Sequence, residues 1–237
     1  MKHFILTYTT DTKEKGSVYP QVKVLERGSH DLVLNQYNDK ELPKEIRFPT
    51  FKLEYKAKLT DVVSSSVLGR STNILASPSV VEVLSTFNLP KHQVFDTSVL
   101  NKKGERIPYK VIHQCFHSDA DYIDYQRSQY FRITGYDFTV DPYTIKGEEV
   151  DVGSWEEIIN ITQSKKGSIC GRSIYLKESD ISYDAFLLRN PNAWVINEKV
   201  ADKLNEKKIT GIAMVLLRPG ENFCEENIVT KAEKLIM

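Results

Sequence analysis

AFLLRNPNAWVINEKVADKLNEKKITGIAMVLL, residues 185–217, carries in order every signal of a strand, a helix and a second strand. Phe186, Leu187 and Leu188 form a short apolar run, Arg189-Asn190-Pro191-Asn192 is turn chemistry, and Trp194, Val195 and Ile196 lead into Asn197. The Asn197 side-chain oxygen is placed to accept from the unpaired amides of a first helical turn. Val200, Ala201 and Leu204 then fall on one helical face, which must pack on something. Lys207 and Lys208 suit a helix C-terminus, and Gly211 opens the apolar run Ile212 to Leu217.

The same pattern occurs earlier in the chain. Ser77-Pro78 predicts a helix start, with serine as cap and proline where its missing amide matters least. Val80, Val81, Leu84 and Phe87 form its buried face, and Pro90 ends it. Ser77 matches Asn197, Val80 matches Val200, Glu82 matches Asp202 and Leu84 matches Leu204, all 120 residues apart, and apolar pairs Ile74-Leu75 and Val195-Ile196 precede both. A constant offset is the mark of a duplicated unit, although short capped helices also resemble one another by chance. Leu84 and Leu204 are expected core anchors.

Around these two helices the sequence predicts an α+β protein. A largely antiparallel β region spans residues 1–70, and a mixed region of short helices packed on sheet spans 71–237. Strands are expected at His3 to Thr9, Val22 to Leu25, Asp31 to Tyr37 and Phe51 to Leu59. In the last, Phe51, Leu53, Tyr55, Ala57 and Leu59 alternate with Lys52, Glu54, Lys56 and Lys58, which predicts one buried and one wet face. A polar break at 64–72 marks the expected boundary. Beyond it, residues 93–116 read as a hairpin turning at Asn101 to Gly104, and Ser154-Trp155-Glu156-Glu157 has capping-box spacing for a helix to about Gln163. A short strand is expected at Ser173 to Leu176 and a last helix at Glu225 to Met237.

With 237 residues and 41% hydrophobic content the chain can bury a core. Lys+Arg 32 balance Asp+Glu 32, so no overall field favours nucleic acid, although a local patch stays open. No apolar run reaches the ~18 residues of a membrane span, and MKHFILTYTT has too short an apolar core for a signal peptide. Neither nucleic acid nor membrane is therefore expected as a partner, and a cytoplasmic location is expected. Cys115, Cys170 and Cys224 fit neither a disulfide framework nor a paired metal motif.

His113, Cys115 and His117 would share one strand face and are zinc-type donors, but same-face neighbours stand about 7 Å apart and do not easily converge on one ion. No metal or other cofactor is expected. Asp119, Asp121 and Asp124 lack the glycine and closing glutamate of a calcium loop. No phosphate-cradling glycine motif or nucleophile elbow occurs. Asp119, Asp121, Tyr122, Asp124 and Tyr125, with Tyr130 beyond them, instead suggest an acidic, tyrosine-rich surface suited to a basic protein partner, in a loop followed by an edge strand.

Phe186, Val195, Asn197, Val200, Leu204, Thr210, Gly211 and Ile212 follow a pattern that resembles a bacterial family once catalogued as a domain of unknown function. That family is grouped with the immunity proteins of polymorphic toxin systems. Tyr109, Ile123-Asp124 and Ser128 resemble a second patch of it, while Asn197 stands where many relatives carry serine. The resemblance implies a non-catalytic protein that binds and neutralises a cognate protein toxin. A metal- or cysteine-dependent enzyme and a homo-oligomeric structural subunit are the alternatives.

Overall fold

The computed structural model describes residues 1–29, 40–68, 73–115, 122–137, 139, 144–165, 167–189 and 192–217. It is an α+β protein in which sheet dominates and the helices are short. The elements are β1 (His3–Tyr8), α1 (Thr12–Lys15), β2 (Val22–Glu26), β3 (Thr50–Leu53), β4 (Val62–Val63), β5 (Asn73–Ala76), α2 (Pro78–Leu84), β6 (His92–Leu100) and β7 (Arg106–Gln114). They continue with β8 (Gln129–Asp137), β9 (Thr144–Val150), α3 (Trp155–Lys165), β10 (Ser168–Ser173), β11 (Ala185–Arg189), β12 (Asn192–Asn197), α4 (Glu198–Glu206) and β13 (Ile212–Leu216). No described helix is long and apolar enough to cross a membrane.

Two compact units divide the described chain. One comprises residues 1–121 and 182–216, the other residues 122–181. The break at 64–72 does not separate them, because strands before and after it share one six-stranded sheet, ordered β2-β3-β6-β7-β5-β4. That sheet is antiparallel except for β3 against β6. A second sheet of the same unit runs β11-β12-β1-β13 and is wholly antiparallel.

The sequence echo is also an echo in space. Each copy begins with a hairpin, β4-β5 or β11-β12, enters a helix directly, and returns in a strand that runs parallel to β5 or β12 with one antiparallel strand between. The intervening strand is β7 in one copy and the N-terminal β1 in the other. Register preserves the offset: Leu75 pairs with Val111 and Val111 with Phe95, while Val195 pairs with Ile5 and Ile5 with Val215. Phe95 and Val215 thus stand 120 residues apart, as Leu75 and Val195 do.

Both helices drive their apolar faces into one core. Val80, Val83 and Leu84 of α2 meet Val200, Ala201 and Leu204 of α4, beside Ile74, Ala76 and Ile112 of the six-stranded sheet and Trp194 and Ile196 of the four-stranded one. Leu84 and Leu204 are 3% and 1% exposed, as their helical spacing predicts. Alternation along β5 sends Leu75 the other way, into a second core with Phe51, Val99, Tyr109 and Val111, so every residue of β5 is buried.

Each copy carries an aspartate before its first strand, and each aspartate holds both copies. Asp61 accepts from Ser77 Oγ at 2.8 Å, and its carbonyl accepts from Ser77 N at 2.6 Å. Asp184 accepts from Asn197 Nδ2 at 2.7 Å, and its carbonyl accepts from Asn197 N at 2.8 Å. The remaining carboxylate oxygen crosses to the other copy, beyond its helix: Asp61 Oδ2 accepts from Thr210 N and Oγ1 at 2.9 and 2.7 Å, and Asp184 Oδ2 accepts from Asn88 N at 2.8 Å. Asn197 Oδ1 also caps α4 through Val200 N at 3.1 Å, whereas the Ser77 side chain makes no cap bond to α2 because its hydroxyl serves Asp61.

Several expectations are corrected. The strand expected over Phe51 to Leu59 ends at Leu53, because residues 54–57 turn; Tyr55, expected inside, is 85% exposed, while Ala57 is buried. The strand expected at Ser173 to Leu176 lies at Ser168–Ser173; the helix expected from the Ser154 capping box does form as α3, with Glu157 N donating to Ser154 Oγ and the Glu157 carboxylate reaching back to Gly153 N. The edge strand expected after the acidic segment is β8, the centre of the sheet β10-β8-β9 in the second unit. The strand expected at 31–37 and the helix at 225–237 lie outside the described residues.

Leu204→Ala is expected to cost about 3 kcal/mol in urea denaturation, because the site is closed on all sides. Asp61→Ala is expected to cost about 1–2 kcal/mol after allowance for solvent screening. Burial alone would push the Asp61 carboxyl up, but hydrogen bonds from Thr210 and Ser77 outweigh it and hold it below the usual carboxylate range. Its stabilisation is therefore present above about pH 4 and lost as pH falls through the depressed folded-state value. Denaturation series should show a shallower acid limb in Asp61→Ala than in the native chain.

Candidate interaction surface

The histidine and cysteine cluster is part of the fold. His113 on β7 is fully buried, with Nδ1 2.9 Å from Asn73 Oδ1 and Nε2 3.0 Å from the Lys40 carbonyl. Both ring nitrogens are thus engaged by polar groups of the fold. Burial lowers the His113 pKa against the opposing pull of the Lys40 carbonyl. Cys115 is buried too, and its thiol is pushed up, first by burial and then by the Glu41 carboxylate, with the Lys91 ammonium opposing. A raised thiol is the reverse of an activated nucleophile. His117 lies outside the described residues, and among those described no three His, Cys, Asp or Glu side chains are grouped to hold a metal.

Of the expected acidic and aromatic surface, Asp119 and Asp121 lie outside the described residues. Tyr122, Tyr125 and Tyr130 are buried, at 5%, 7% and 1% exposure, and the Tyr125 and Tyr130 rings stack with centroids 5.9 Å apart. These tyrosines are the core of the second unit and not a contact face. A phenol ring is mostly apolar area, so an aromatic-rich stretch in a small unit buries it.

Asp124 is half-buried and organises a turn. Its amide donates to the Tyr175 carbonyl at 2.8 Å, its Oδ1 accepts from Arg127 N at 3.2 Å, and its carbonyl accepts from Ser128 Oγ at 2.6 Å. Ser128 Oγ accepts in turn from Tyr175 N at 3.0 Å, and Ile123 bridges to Leu176. This lock presents two residues that the sequence reading missed. The Arg127 guanidinium lies 4.6 Å from the centre of the Tyr175 ring. The pair lines an open depression of about 370 Å³ with Asp124, Lys177, Glu178 and Asp180. No spacing rule joins Arg127 to Tyr175, since only the pairing of the two chain segments brings them together.

A second depression, of about 590 Å³, is lined by Gln126, Ser128, Gln129, Glu149, Asp151 and Glu157 among others. Its Glu149 already pairs with Arg172 at 2.6 Å.

The residues read in the sequence as resembling an immunity-protein family are structural in this chain. Phe186, Val195, Val200 and Leu204 are core, Asn197 is the cap, and Thr210 belongs to the Asp61 contact. Gly211 has φ 87°, and a Cβ there would stand 2.0 Å from the Val62 carbonyl. Compared with known proteins, the chain matches no family model, and no match among curated proteins reaches significance.

His113→Ala is expected to lower stability by about 2–4 kcal/mol through lost packing and orphaned acceptors. A zinc chelator should leave the unfolding midpoint of the native chain unchanged; a chelator-sensitive midpoint would restore the metal reading.

Proposed function

We propose that the protein is an immunity protein, acting in the cytoplasm by binding a cognate toxin domain and holding it inactive. The observation that carries this reading is the solvent-facing Arg127–Tyr175 stack in its open depression. Arginine and tyrosine are the residue types that dominate binding energy at protein interfaces, where a planar cation and a ring give large contact area at low entropic cost. The stack is already assembled without a partner, so little ordering is required on association. Asp124, Glu178 and Asp180 beside Arg127 and Lys177 supply both signs of charge, which fixes orientation more than it adds affinity. A partner of ordinary size would cover about 800 Å² of this chain, so the depression would be one anchor within a wider contact.

The test is co-expression with toxin domains encoded beside the gene, scored by survival and by titration of the purified pair. Arg127→Ala and Tyr175→Ala should each weaken binding about tenfold or more and reduce protection, with the unfolding midpoint little changed. Full protection by both variants would remove the Arg127–Tyr175 stack from the contact. Protection through turnover of a substrate would overturn the non-catalytic reading.

A further inference from the structure

Residues 11–24 and 50–60, in the first unit, form a basic corner. They hold Lys13, Lys15, Lys23, Lys52, Lys56 and Lys58 against Asp11, Glu14 and Glu54, six cations to three carboxylates, in a chain balanced at 32 and 32. The segments meet backbone to backbone. Gly16 bridges to Ala57, Lys58 N donates to the Lys15 carbonyl at 2.7 Å, and Ser17 N donates to the Lys56 carbonyl at 3.2 Å. A Cβ on Gly16 would stand 2.1 Å from the Lys56 carbonyl, so the approach depends on glycine. All three carboxylates are engaged: Asp11 accepts from Lys13 N, Glu14 from Gly211 N, and Glu54 pairs with Lys23 at 3.3 Å. Among the described residues, Lys13, Lys15, Lys52 and Lys56 have no carboxylate at ion-pair distance.

Two further features mark this corner. Lys23 and Lys52 stand directly opposite in the β2–β3 register, a like-charge arrangement that destabilises a strand pair. Tyr19 and Tyr55 are 68% and 85% exposed, with the Lys15 ammonium 5.6 Å from the centre of the Tyr19 ring. Exposed rings interleaved with unpaired ammonium groups match the demands of an unpaired polynucleotide, whose phosphates take point charges and whose bases stack on any aromatic face. An acidic protein fits less well, because protein interfaces favour arginine and are depleted in lysine, and neither segment contains an arginine.

We propose that this corner binds single-stranded nucleic acid, with the lysines along the phosphates and Tyr55 and Tyr19 against bases. This site involves none of the residues of the toxin-binding reading and stands or falls separately from it.

The test is fluorescence anisotropy of the full chain with a labelled oligouridylate across a salt series. Affinity should fall with salt at a slope of about −0.7 per phosphate contacted, and Lys52→Glu with Lys56→Glu should flatten that slope by about 1.4. Tyr55→Ala should weaken binding about fivefold or more, and should do so far less for an abasic phosphate chain of equal length. All three side chains are exposed, so the variants should fold, which their unfolding midpoints would verify. No binding of oligouridylate at low salt would overturn the assignment. So would indifference to these substitutions, or equal binding of polyglutamate, which would point to an acidic protein partner.

Discussion

The two aspartates that precede the hairpins constrain the rest of the first unit. Asp61 and Asp184 each bind the residue that opens their own helix and, with the other carboxylate oxygen, the segment that follows the opposite helix. A carboxylate used this way fixes where one helix begins and where the other has ended. The strong side of each contact is its charge, since hydrogen bonds to an ionised acceptor contribute more than neutral ones. Because the contacts are reciprocal, α2 and α4 have one relative placement, and Leu84 and Leu204 fill the space this leaves between two sheets. The N-terminal strand then has a defined slot, beside β12 and β13, equivalent to that of β7 beside β5 and β6.

Much of this frame was legible in the residues, for a reason that can be stated. The strand-helix-strand unit at 185–217 uses only local signals: an apolar run, turn chemistry, an asparagine cap and a face of Val200, Ala201 and Leu204. The offset of 120 was legible because it needs only a comparison of the chain with itself. Asp61 and Asp184 were not, because they stand 123 residues apart, out of step with the helices, and their cross-contacts lie between distant segments. Alternation over Phe51 to Leu59 misled because it describes a strand's faces and not its length. The bonds of Glu54, Ala57 and Lys58 to Gln21, Glu54 and Lys15 end that strand early. In the candidate site, Asp124 and Ser128 were visible as a pattern, but tyrosine composition cannot separate a core from a contact face. Arg127 and Tyr175 meet only after the second unit has folded.

These roles bear on function. The positions from which a likeness to immunity proteins is read in the sequence are caps, core residues and a glycine at a close approach, so they speak for a way of folding. On the proposed readings, partner choice would fall to what the repeated frame does not need: residues 122–181, which interrupt it between β7 and β11, and the lysine corner of residues 11–24 and 50–60. Surfaces attached to a fixed frame can change their residues without disturbing the core, which is how one fold serves many partners.

The central claim is that the two copies are locked into one cooperative body through their reciprocal contacts. Native-state hydrogen exchange across a denaturant series tests it most directly. The account predicts that buried amides of β5, α2, β12 and α4 open with one shared free energy and one shared denaturant dependence. Two separate opening energies, one for each copy, would contradict it.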